Sequence, residues 1–86
     1  MADTTPTPRQ LEVLSAIERG RKLNGHPPTI RELADELGIK STNGVADHLR
    51  ALAVKRLVKW ERAKGRTLAA TPSGRTWLLR STRESA

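Results

Sequence analysis

The 86-residue chain contains no cysteine, tyrosine or phenylalanine, one methionine and two tryptophans. Without cysteine there is neither a disulfide framework nor a thiolate metal site. His26 and His48 lie in separate segments without acidic neighbours at ligand spacing, so neither a metal nor a cofactor is expected. The lack of Phe and Tyr argues against a platform on which single-stranded bases stack, and Trp60 and Trp77 read as core residues instead. No apolar run approaches the roughly 18 residues that cross a bilayer, and the first 15 residues, polar and proline-bearing, hold no signal-peptide apolar segment. A cytosolic location is expected. No nucleophile–base pair or paired carboxylates fall on a shared surface, and so short a chain has little room beside one small domain, so no enzyme is expected.

Positive charge is plentiful and unevenly placed. Residues 1–37 carry five Lys or Arg against six Asp or Glu, a net −1, whereas residues 38–86 carry eleven against three, a net +8. A polyanion is the simplest partner for a one-sided field, because each phosphate neutralised releases condensed counterions. The alternative is a basic face that only aids solubility.

Local signals divide the chain into a flexible leader (residues 1–6), one domain (7–80) and a flexible tail (81–86). Thr7 as N-cap, Pro8 at the first helical position and Gln10 three residues after the cap open a first helix. Leu11, Val13, Leu14 and Ile17 form its buried stripe, and the pattern fades from Gly20 to Asn24-Gly25. His26-Pro27-Pro28 is extended, since each proline disfavours helix in the residue before it. A second capping box, Thr29 with Glu32, starts a short helix with Ile30, Leu33, Ala34 and Leu37 on one face and Gly38 past its end. After the Ile39-Lys40 turn, Ser41 caps a third helix. Its apolar positions Val45, Leu49 and Leu52 oppose Asn43, Asp47 and Arg50.

Leu57 to Arg62 alternates as a strand, Ala63-Lys64-Gly65-Arg66 makes a tip, and Thr67 to Ala70 returns. A two-stranded hairpin is unstable alone, which places Leu57, Trp60 and Leu68 against the helices. Thr71-Pro72 opens a short last helix containing Trp77, Leu78 and Leu79. The resulting class is α+β: a winged helix-turn-helix, made of a three-helix bundle, a two-stranded β-hairpin wing and a short C-terminal helix. That architecture is most often a reader of double-stranded DNA.

Several linked motifs make the match more specific. Thr7-Pro8-Arg9-Gln10 with Glu12-Val13-Leu14, Gly25-His26-Pro27-Pro28-Thr29 with Glu32-Leu33-Ala34, Leu37-Gly38, and Ser41, Asn43 and His48-Leu49-Arg50-Ala51-Leu52-Ala53 stand in this order. Together they resemble the amino-terminal DNA-binding domain of the LexA repressor family over about residues 7 to 68. The resemblance implies a winged domain whose third helix enters the major groove, with base contacts at Ser41, Asn43, Gly44, Ala46 and Asp47. It also implies a carboxyl-terminal self-cleaving protease domain that supplies dimerisation; the chain ends short of one, so autocleavage is not expected. Gly44 and Ala46 stand where the familiar repressor has alanine and glutamate, and Asp47 is a methylene shorter than the usual glutamate. Arg56 takes the place of a helix-ending glycine, so it either accepts left-handed geometry or the helix exits differently.

The candidate DNA-binding set is therefore Lys40, Ser41, Thr42, Asn43, Gly44, Ala46, Asp47, Arg50, Arg62, Lys64 and Arg66. Asn suits bidentate contact with adenine, although near a helix start it also caps locally. Asp47 either accepts from a cytosine amino group or pairs with Arg50 or Lys40. Arg50 reaches phosphate or guanine, or stays solvated. Lys64 and Arg66 at the tip touch backbone or minor groove. His48, at the edge of the buried stripe, is packed or hydrogen-bonded rather than a ligand. The expected activity is sequence-specific binding of double-stranded DNA by a transcriptional regulator of repressor type, with a homodimer as a further option. The rival is a winged-helix protein-interaction module that uses the third or the last helix as its contact surface.

Overall fold

A computed structural model describes residues 4–61 and 68–85, with side chains in the last helix as far as Ser81. The elements run α1 (Pro8–Asn24), α2 (Ile30–Leu37), α3 (Thr42–Val54), β1 (Val58–Lys59), β2 (Ala69–Ala70) and α4 (Pro72–Ser85). Both capping boxes form. The Thr7 hydroxyl accepts from the Gln10 N–H at 3.1 Å while Gln10 Oε1 accepts from the Thr7 N–H at 3.0 Å. At α2 the Thr29 hydroxyl accepts from the Glu32 N–H at 3.0 Å and the Glu32 carboxylate accepts from the Thr29 N–H at 2.8 Å. Gly25 and Gly38 end α1 and α2 in left-handed geometry, with φ of 76° and 68°, a conformation glycine enters without a Cβ penalty.

The core is the meeting of the apolar faces. Val13, Leu14, Ala16 and Ile17 from α1, Leu33 from α2, and Val45, Leu49 and Leu52 from α3 are completely buried. Leu57, Val58, Leu68 and Ala70 close the core from the sheet, with Trp60 and Trp77 half-buried against it. Leu11 and Leu37 are half-buried rather than interior. Polar ties brace the same packing: an Arg9 guanidinium nitrogen donates to the Leu37 carbonyl at 2.8 Å, and Arg19 pairs with Glu36 at 3.0 Å.

The end of α3 settles how Arg56 is accommodated. Its φ is +60°, and the Leu57 N–H donates to the Leu52 carbonyl at 2.9 Å while the Arg56 N–H donates to that of Ala53 at 3.0 Å. This is a Schellman ending, closed by the buried Leu52 and Leu57 pair, with arginine where glycine is usual. β1 and β2 are antiparallel, with Val58 opposite Ala70 and Lys59 opposite Ala69. The described ladder is two residues per strand, shorter than the alternation predicts.

Two terminal expectations change. α4 runs on to Ser85, through residues 81–85 that were expected to belong to the tail, because no glycine or proline interrupts residues 75 to 85. In the leader, Pro6 is buried and the Thr5 carbonyl accepts from Lys55 Nζ at 2.9 Å, so the chain is engaged with the domain before Thr7. The same Lys55 ammonium donates to Gln10 Oε1 at 2.7 Å, joining the start of α1 to the end of α3.

Candidate nucleic-acid interface

α2, the turn and α3 present the first residues of α3 at the molecular surface. Ser41 Oγ accepts from the Asn43 and Gly44 N–H groups at 3.1 and 3.3 Å, so its hydroxyl is engaged as the N-cap. Lys40, Ser41, Thr42, Asn43, Asp47 and Arg50 are all exposed. Asn43, Asp47 and Arg50 follow the i, i+4, i+7 spacing and form one stripe opposite the buried Val45, Leu49 and Leu52. At about 1.5 Å of rise per residue the stripe covers roughly 10 Å, about three base-pair steps.

Two members of the candidate set do not reach this face. Ala46 is 6% exposed and shares the inward side of the helix with Leu49, three residues on. A Cβ built on Gly44 would meet Ile39 Cγ2 at 3.0 Å, so that position faces the preceding turn. Base contact at Gly44 and Ala46, implied by resemblance, finds no exposed side chain here. Arg62, Lys64 and Arg66 lie outside the described residues. His48 is half-buried, on the flank of α3.

Asp47 has a partner in the free protein: Arg50 Nη2 donates to Asp47 Oδ1 at 3.0 Å, with the side chains 50% and 74% exposed. α3 carries no other acidic or permanently cationic residue. Its formal charge is therefore zero, and cations for phosphate must come from its flanks. Lys40 precedes it; Arg56 and Lys59 follow it on exposed positions. Lys59 was legible as a cation in an alternating strand, but only the register directs it outward while Val58 points to the core. Val54, eleven residues after Asn43, extends the stripe as an 80% exposed apolar side chain. Charge and motif reasoning passed over it.

α4 packs against α1 and β2. The Glu18 carboxylate accepts from the Ala70 N–H at 3.1 Å and lies 3.5 Å from Arg75 Nε. Arg80 stacks over the Trp77 ring at 4.8 Å. No helix among the described residues is long and apolar enough to cross a membrane.

Comparison with known proteins places this geometry. The family model described as LexA DNA binding domain matches residues 3–67. The LexA repressor of Anaeromyxobacter sp. (strain Fw109-5) is 52% identical over 69 residues, covering 80% of this chain and 30% of that protein. That of Myxococcus xanthus (strain DK1622) is 44% identical over 72 residues, covering 84% and 32%. The LexA repressor of Pseudomonas chlororaphis is 55% identical over 49 residues, covering 57% and 24%. The chain thus spans about a third or less of the length of the curated relatives it matches. The capped helix pair, the exposed stripe on α3 and the matched family model together establish that this chain belongs to the LexA DNA-binding domain family.

Proposed function

We propose that the domain binds duplex DNA sequence-specifically by laying α3 in the major groove, and that it represses transcription by occupying promoter DNA. The observation that carries this reading is the exposed stripe Asn43, Asp47 and Arg50 on a neutral helix flanked by exposed cations. Such a division of labour suits a groove reader: polar side chains on the helix meet base edges, while Lys40, Arg56, Lys59 and the further cations Arg62, Lys64 and Arg66 neutralise phosphates. Ser41 contributes by fixing the start of α3, and Thr42 beside it is free to meet the backbone of the groove wall. The domain works by occupancy, without chemistry of its own, and in the cytoplasm where such DNA lies. One domain makes few base contacts, so two copies on paired half-sites are the form that reaches useful affinity.

The test is selection of bound sites from random duplex DNA at one fixed salt concentration, followed by Asn43→Ala on the selected site. The substitution is expected to cost about 1–3 kcal/mol there, relax the choice at one base pair and leave affinity for scrambled duplex unchanged. An unchanged ratio of specific to nonspecific affinity would mean that α3 does not read bases and that its exposed face serves a protein partner.

A further inference from the structure

We propose that Asp47 is a positioning residue for Arg50, so that the two side chains read one guanine as a unit; this rests on the groove-reading role of α3. A carboxylate on the DNA-facing stripe is repelled by every nearby phosphate, and Asp47 is the only acidic residue of α3. It does not stand alone: Arg50 Nη2 donates to Asp47 Oδ1 at 3.0 Å, three residues on along the same stripe. Both side chains are at least half exposed, and an ion pair in that setting adds little to folding stability. Its effect falls on the freedom of the guanidinium. An unrestrained exposed arginine spreads over many rotamers and swings readily to the nearest phosphate. Held through one Nη, Arg50 keeps its remaining donors for the O6 and N7 acceptors of guanine, which demand an oriented fork. The pair also cancels its own charge, so it adds no indiscriminate attraction to DNA.

Coupling separates this assignment from a role in which Asp47 reads cytosine by itself. Site selection is repeated with Arg50→Gln, Asp47→Asn and the double variant, scoring the base preference at each position relative to the alternatives. Relative preference cancels the general gain in affinity that follows removal of a negative charge. Arg50→Gln is expected to lower the preference for one guanine about tenfold or more. Asp47→Asn should weaken that same position to a similar degree, and the double variant should be no worse than either single one. Asp47→Glu, which still reaches Arg50 at this spacing, should keep the preference within about threefold of wild type. Thermal unfolding of all four variants should match wild type, which keeps loss of fold apart from loss of reading.

Relaxation at a different base pair by Asp47→Asn, or multiplying effects in the double variant, would overturn the positioning role while leaving groove reading intact. Wild-type protein that selects no preferred site would instead overturn the groove reading and this role with it.

Discussion

Gly74 is the position where adding one methyl group should do most damage for its size. It lies buried in the first turn of α4, and a Cβ there would stand 2.1 Å from the Leu57 carbonyl oxygen and 3.4 Å from Leu14 Cδ2. Reaching an ordinary C···O contact of about 3.3 Å requires the two backbones to part by roughly 1 Å. The obstacle is main chain, which has no rotamer to retreat into. The same carbonyl accepts from the Thr71 N–H at 3.1 Å, so the separation that relieves the clash also weakens the bond that ties the residue before α4 to Leu57.

Alanine gains about 1 kcal/mol of helix propensity over glycine. Against this stand about 1–3 kcal/mol for overpacking and about 1 kcal/mol for the hydrogen bond. Gly74→Ala should therefore destabilise by about 2 kcal/mol, lowering the melting temperature by on the order of 10 °C in a domain this small. Thermal unfolding followed by circular dichroism measures this, with Ser73→Ala as the control. Ser73 is exposed one residue away, and its substitution should be neutral or slightly stabilising. Affinity for DNA well below the melting point should not change, since α3 is untouched. A Gly74→Ala protein melting at or above wild type would show that α4 does not dock through this contact.

Other substitutions probe different parts of the framework. Arg56→Gly removes the left-handed strain at φ +60° and should stabilise by about 1 kcal/mol in urea unfolding; an equal or lower midpoint would contradict a strained helix ending. Lys55→Met severs the ties to Gln10 Oε1 and the Thr5 carbonyl and should cost about 1–3 kcal/mol, because the buried Gln10 oxygen loses a charged donor. Its selected DNA site should be the same as that of wild type. Leu49→Ala, at the fully buried centre of α3, should cost about 2–5 kcal/mol in the same assay. Binding to any duplex should weaken steeply between about 50 and 200 mM salt, and salt-independent affinity would remove phosphate from the interface.

Much of this protein was settled by order along the chain, because caps and periodicity are local. Thr7 with Gln10, Thr29 with Glu32, and Ser41 each carry the chemistry that satisfies the N–H groups of the turn they begin, and the helices start there. The spacing of Val45, Leu49 and Leu52 likewise required Asn43, Asp47 and Arg50 to be exposed. Other features depend on what a distant segment brings close. Periodicity cannot tell that Gly44 faces Ile39, or that Ala46 is covered, since both follow from how the turn and the neighbouring helices seat α3. Lys55 read as one more cation until folding placed it against Thr5 and Gln10, fifty and forty-five positions earlier. Nothing local marks Gly74 as a position that needs glycine; that need arises only when the Leu57 carbonyl lies beneath it. Local hydrogen bonding acts within a turn or two and is written in adjacent residues; steric fit and long-range pairing exist only once the chain has closed on itself.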